Sequence, residues 1–172
     1  LTNGVNGNLV GVANAVLAAL ASNGGPTETI ALLPGSPAIN AGTSVSAPAT
    51  DQRGIARPQQ GTVDIGAFES RGFTMALTGG DAQSAIVSTA FANPLVATVA
   101  AVAPAEPVQG GRVTFTPPGA GASAVIATSP ATINASGVAS VNATANATVG
   151  SYSVAASSAG STGISFALQN RL

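Results

Sequence analysis

The chain of 172 residues contains no cysteine, no histidine, no lysine and no tryptophan. Without Cys there are no disulfides and no thiolate metal sites, although that absence says nothing about compartment. Without His, Cys or Lys, general base or nucleophile chemistry has to start from carboxylates alone. Charged residues make up 6% of the chain, against roughly a quarter in ordinary globular domains. A net charge of −1 argues against nucleic acid as a partner, because phosphate recognition requires a clustered basic surface. No apolar run reaches the length of about 18 residues that a transmembrane helix needs. The most apolar stretch, Val12–Ala21, is too short and lacks the charged flank of a signal peptide. The chain opens at Leu1 without Met, in the middle of a turn-rich pattern, so it is expected to be a piece of something longer.

What is present is small and apolar. The 45% hydrophobic content leans on Ala and Val, with aromatics at 3%, so the core has to be built from small side chains that suit thin, closely stacked β layers. The few charges are not spread evenly. Six of the eleven (five basic plus six acidic) fall within residues 51–71: Asp51, Arg53, Arg57, Asp64, Glu69 and Arg71. This cluster also marks a change of character, from Gly/Asn-rich turns before it to alternating β-type segments after it.

In residues 1–11, Asn-Gly pairs surround isolated aliphatics, a tight-turn pattern that is expected to form a rung of a parallel β-helix or a loose terminus. Residues 12–21 place Val12, Val16, Leu17 and Leu20 on one helical face, so a short helix is expected there. Thr27–Leu33 predicts a strand stopped by Pro34-Gly35. Beyond the charge cluster, strands are expected over Phe73–Leu77, Gln83–Thr89, Leu95–Val99, Arg112–Thr116, Ala124–Thr128, Val138–Ala143, Tyr152–Ala156 and Ile164–Leu168. Their spacing and intervening turns predict an antiparallel sandwich. Val113/Phe115, Tyr152/Val154/Ala156 and Ile164/Phe166/Leu168 would face inward at period two.

Three motifs occur in order: Asn23-Gly-Gly-Pro-Thr-x-Thr-x-Ala-Leu-Leu-Pro-Gly-Ser-Pro-Ala-Ile-Asn-Ala-Gly42, then Asp51-Gln-Arg-Gly-x-x-Arg-Pro58, then Val63-Asp-Ile-Gly-Ala-Phe-Glu69. Together they make residues 3–69 resemble the end of the bacterial right-handed parallel β-helix surface proteins of the choice-of-anchor Q type. In that family such a stretch forms the last rungs and the C-terminal cap. Residues 79–170 resemble bacterial immunoglobulin-like repeats of the invasin/intimin kind. The resemblance is carried by Gly80-Asp-Ala-Gln-Ser-Ala85, Phe91-Ala-Asn-Pro-Leu95, Val113-Thr-Phe-Thr-Pro-Pro118, Gly121-Ala-Ser-Ala124, Gly137-Val-Ala139 and Gly150-Ser-Tyr-Ser-Val-Ala155. The Ala-rich stretch Ala100–Glu106 departs from it, since such repeats more often carry a polar Gly-Asn turn there.

The expected architecture is therefore all-β: β-helix rungs and cap over 1–70, a linker strand over 71–79 and an Ig-like antiparallel sandwich over 80–172. Phe73-Thr-Met-Ala-Leu-Thr78 echoes Ile164-Ser-Phe-Ala-Leu-Gln169. Strands that lead from one unit into the next would produce such an echo, and a further repeat beyond Leu172 is expected on that ground.

For catalysis, Asp51, Asp64 and Glu69 are the only set of acids that could run glycoside hydrolysis, and β-helix proteins include polysaccharide-degrading enzymes. The structural alternative is stronger. Arg53 and Arg57 lie between the acids; Arg–carboxylate pairs lock turns together and would lower the acids' pKa values, which does not suit a general acid. Asp51, Arg53, Arg57, Asp64 and Glu69 are accordingly expected to form a structural cap and joint, with no catalytic residue and no cofactor. Calcium is the one ion such acids would suit, but no Asp-x-Asp-x-Asp-Gly loop is present. Asn134, Asn142 and Asn146 stand in formal glycosylation sequons and are expected to be ordinary turn and strand residues. Tyr152, the only tyrosine, is expected at the core or a corner of the sandwich.

These readings lead to a structural protein of the extracellular space or bacterial outer surface, a stalk or fibre-forming adhesin segment. With no Lys to block strand edges and little charge to keep copies apart, the expected partners are copies of itself, with a host surface or glycan as a further partner. The rival expectations are a fragment of a carbohydrate-active β-helix enzyme and a glycan- or host-protein-binding module.

Overall fold

The computed structural model describes residues 2–3, 8–103 and 106–172. Among the described residues the secondary structure is all strand, with no helix. In the first part of the chain, β1 (Leu17–Ala21) pairs antiparallel with β2 (Thr29–Leu32). These are the strands found between residues 8 and 70; the rest of that stretch runs in turns and bends. Much of the segment 1–11 lies outside the described residues.

The expected helix over 12–21 is not formed. Leu17–Ala21 is extended and hydrogen-bonded along β2, with Leu17 opposite Leu32 and Leu20 opposite Ile30. A short Ala-rich run without caps nucleates a helix poorly, whereas a partner strand supplies its backbone hydrogen bonds at once. Pairing overrides local propensity here.

The remaining strands are β3 (Phe73–Gly79), β4 (Gln83–Ile86), β5 (Leu95–Ala101), β6 (Arg112–Thr116), β7 (Ala124–Ile126), β8 (Ala131–Thr132), β9 (Val138–Val141), β10 (Ala143–Ala145), β11 (Gly150–Ser157) and β12 (Ile164–Arg171). One sheet has the order β3-β5-β9, and β10, following β9 after a single residue, pairs with β7. The other sheet has the order β4-β12-β11-β6-β8. The segment expected to link the two units thus contains β3, paired with β5 from Phe73↔Ala101 to Gly79↔Val96.

The arrangement departs from a purely antiparallel one at one edge. β4 runs parallel to β12, with Leu168 opposite Gln83 and Arg171 opposite Ile86, so this sheet is mixed. Side-chain alternation sets which residues face inward but carries no information about strand direction, which is why the sequence pattern did not reveal it.

Period-two alternation places the core as expected. Val113, Phe115, Val154, Ala156, Phe166 and Leu168 are all buried, while Tyr152 and Ile164 pack partly buried at the margin. Phe115 and Phe166 meet across the β6–β11–β12 sheet with ring centroids 5.9 Å apart and planes tilted by 38°, within the range aromatic pairs favour. Ala31, Leu32, Ala38, Ile39 and Phe68 belong to the same buried cluster as these residues, so the first part of the chain shares a core with the sheets.

The two parts are also joined through backbone. The Arg112 N–H donates to the Pro34 carbonyl at 2.8 Å, and the Gly35 N–H donates to the Ala159 carbonyl at 3.1 Å. Gly35 adopts φ +83°, and a Cβ there would stand 2.7 Å from the Arg112 carbonyl oxygen. Only glycine lets the two backbones approach this closely.

Candidate functional site: a buried carboxylate–arginine joint

The five residues singled out from sequence converge after β2 and before β3. Asp51 opens a tight turn: its Oδ1 accepts the backbone N–H groups of Arg53 (2.8 Å) and Ile55 (2.9 Å), the side-chain-to-backbone pattern by which Asp fixes turns. Its Oδ2 accepts Arg53 Nε–H and the backbone N–H of Glu69, each at 2.9 Å. Arg53 Nη2 also stands 2.8 Å from that oxygen and donates to the Glu69 carbonyl at 2.6 Å. Its guanidinium lies over the Phe68 ring, 3.5 Å from the centroid, a cation–π contact.

Glu69 is fully buried. Its Oε1 accepts the Gln59 N–H at 3.0 Å and its Oε2 the Asp64 N–H at 2.9 Å. Asp64 accepts the Asn40 N–H on Oδ1 and the Ser70 N–H on Oδ2, both at 2.7 Å. Both oxygens of each of these carboxylates are therefore committed to N–H donors. Arg57 behaves differently from Arg53. Its Nη1 and Nη2 donate to the carbonyls of Asp64 (3.3 Å) and Gly66 (2.6 Å). Its buried Nε stands 3.7 Å from Glu69 Oε2 and has no hydrogen-bond partner among the described residues.

A further acid completes the joint and escaped the sequence reading. Glu106, from the loop between β5 and β6, is buried and accepts the Ser70 hydroxyl at 3.0 Å and Arg71 Nε at 3.2 Å. It also takes the Arg71 backbone N–H at 3.1 Å and lies 3.9 Å from Arg53 Nη1. The signal that could have found it is its isolation: a lone acid in an apolar Ala/Val/Pro run must be either exposed or paired. The rest of the Ala100–Glu106 departure falls partly outside the described residues, at 104 and 105.

The electrostatics divide the acids. Burial pushes the Asp51 carboxyl upward, but the N–H groups of Glu69, Ile55 and Arg53 together outweigh it, and the group is held below its ordinary value. Asp64 departs from the expectation that the arginines would lower every acid. Burial is the main cause that raises it, helped by the charge of Glu69, against the N–H groups of Asn40 and Ser70 and the more distant Arg57. The physical reason is visible in the bonding, since the Arg57 fork serves carbonyls and not the Asp64 carboxylate.

Chemically, this arrangement holds turns in place. Its side chains offer almost no surface, 0% for Asp51 and 1% each for Glu69 and Glu106, so a substrate meets none of those oxygens. Among the described residues no group of three or more acids, His or Cys is placed to hold a metal ion, and no helix is long and apolar enough to cross a membrane.

Of the other residues singled out, Asn134, Asn146 and Tyr152 have structural partners. Asn134 Oδ1 accepts the N–H groups of Ser136 and Val138. Asn146 Oδ1 accepts those of Ser123 and Thr148, and its Nδ2 donates to the Gly121 carbonyl. Asn142, exposed, is the single residue between β9 and β10. Tyr152 donates its hydroxyl to Asn170 Oδ1 at 3.0 Å, and burial raises its pKa.

The fold places the chain among all-β proteins. No family model matches it, and neither does any curated protein or solved structure.

Proposed function

We propose that the chain is a structural segment of an extracellular or bacterial cell-surface protein: the end of a β-helix, capped by Asp51–Glu69 and continued by an Ig-like unit, that serves as a stalk or fibre-forming adhesin segment and associates with copies of itself through β surfaces. The observation that carries this reading is the commitment of the clustered charges to the joint. Asp51, Asp64, Glu69 and Glu106 are buried and bonded to N–H and guanidinium donors, which is the work of a stiff connection and keeps these four carboxylates from a substrate.

The Ig-like half is supported by strand order. The β3-β5-β9 sheet, the β10-β7 pair that follows β9 along the chain, and the β12-β11-β6 run inside the mixed five-stranded sheet resemble the ABED and GFC orders of immunoglobulin domains. The β-helix half rests on the order of motifs in residues 23–69; the two described strands before residue 70, β1 and β2, pair antiparallel and form no parallel rung. Self-association is supported by what the surface lacks. Leu17, Leu20, Ile30, Ile86 and Val125 are exposed, and no lysine blocks a strand edge.

Sedimentation of the purified chain at micromolar concentration tests the proposal. Species heavier than one chain of 16.3 kDa are expected, and a stable monomer contradicts it.

A further inference from the structure

One cleft lies apart from the carboxylate joint, where the first part of the chain meets the outer face of β6 and β11. It has a volume of about 480 Å³, within the range of roughly 300–1,000 Å³ typical of small-molecule sites. Asn14 and Pro37 line it on one side, and Arg112, Thr114, Pro130 and Ser157 on the other.

Strand register explains why these polar side chains converge. Val113 and Phe115 point into the core, so Arg112 and Thr114 share the opposite face of β6. Ser157 pairs directly with Thr114 across the β6–β11 ladder and Thr132 with Arg112 across the β6–β8 ladder, on that same face. The backbone of Arg112 is fixed at both ends. Its N–H donates to the Pro34 carbonyl and its own carbonyl accepts the Ser158 hydroxyl at 2.8 Å.

The side chain of Arg112 is not so committed. Arg53, Arg57 and Arg71 are spent on Asp51, Glu69 and Glu106. Among the described residues Arg112 has neither a carboxylate within ion-pair distance nor a hydrogen bond to its guanidinium, and it is only partly exposed. Among the described residues the hydroxyls of Thr114 and Ser157, both exposed, have no hydrogen-bond partner either. Asn14 uses its Oδ1 to accept the Val16 N–H at 2.8 Å, which leaves its amide NH₂ as a donor. No acid lines the cleft. In a chain with so little charge, a half-buried guanidinium surrounded by uncommitted donors and lacking a counter-ion calls for an anion with planar acceptor geometry.

The geometry points to this cleft as a binding site for a small carboxylate ligand of the size of an acidic sugar unit. Arg112 would grip the carboxylate, Thr114, Ser157 and Asn14 would bond to oxygens of the ligand, and Pro37 and Pro130 would supply apolar walls. The inference does not rest on the fibre reading: a monomer that binds the ligand supports this site and contradicts that reading.

The test is an NMR titration of the isotopically labelled chain with sodium glucuronate, with glucose as the uncharged control. Glucuronate is expected to shift the Arg112 Nε–H and the backbone amides of Thr114 and Ser157, and glucose to leave them in place. Arg112→Gln should weaken binding about tenfold or more without moving the thermal midpoint, because its guanidinium has no intramolecular partner to lose. Should that variant fold poorly, Arg112→Lys, which keeps the charge but not the fork, should also bind more weakly, and Thr114→Val should do so by a few-fold. Equal shifts with glucose, or full glucuronate binding by both Arg112 variants, would overturn the site. A fall in particle mass for Arg112→Gln without added glucuronate would assign the carboxylate to a neighbouring copy, and would overturn it too.

Discussion

Glu106 accepts the Ser70 hydroxyl at 3.0 Å, so a carboxylate from the loop after β5 reaches back to the end of the Asp51–Glu69 segment. Through Arg71 Nε at 3.2 Å and Arg53 Nη1 at 3.9 Å, the same side chain ties that segment to the sheets. Removing one partner of a buried pair strands the others without compensation, at a cost of about 3–5 kcal/mol. Glu106→Ala is expected to lower the thermal midpoint by roughly 6–20 °C, at about 2–4 °C per kcal/mol for a chain of this size. Scanning calorimetry checks this, and an unchanged midpoint would mean that the joint does not depend on Glu106.

The catalytic and structural readings of the three clustered acids separate cleanly. Asp51→Asn, Asp64→Asn and Glu69→Gln each put an amide NH₂ where an N–H donor now points. Each is expected to destabilise the fold by about 1–3 kcal/mol, seen as earlier unfolding in urea. Three variants as stable as the wild type would contradict the structural reading.

Acid unfolding carries its own signature. Asp51 is held below its ordinary value of 3.8 in the folded chain, so the stability it contributes is complete above about pH 3.8 and is lost as pH falls below it. Asp64 acts with the opposite sign, because a raised carboxyl favours the fold when protonated. The difference in stability between the wild type and Asp51→Asn isolates the first effect. It should be constant from neutral pH down to about 4 and then shrink. Urea unfolding at a series of pH values measures it, and a difference that grows on acidification would contradict the assignment.

The close backbone approach at Gly35 predicts a sensitive position far from the charges. A Cβ there would stand 2.7 Å from the Arg112 carbonyl oxygen, with the backbone at φ +83°. Gly35→Ala is expected to cost about 2–4 kcal/mol from backbone strain and overpacking. Hydrogen exchange should quicken at the Arg112 and Gly35 amides, which bridge the two parts of the chain, before it does in β11 and β12.

How much of this was legible in the sequence depends on which physical signal each feature leaves. β6, β11 and β12 stand out because one face is buried, which forces apolar residues to alternate as Val113/Phe115 and Phe166/Leu168 do. β1 does not, because its alanines and leucines satisfy a helical spacing equally well and only the partner at Thr29–Leu32 decides between them. β8 is two residues long and carries no period. The break between β9 and β10 at Asn142 falls inside what reads as one strand. The carboxylate joint was half legible: the clustering of Asp51, Arg53, Arg57, Asp64 and Glu69 shows along the chain, whereas Glu106 is brought in by tertiary folding alone. That Arg57 serves carbonyls while Asp64 keeps a raised pKa depends on side-chain geometry, which spacing does not encode.

The central proposal is that this chain is built to connect and to stack. An electron micrograph of the native material tests it most directly. Filaments or arrays with a regular repeat are predicted; separate, unassociated particles would contradict it.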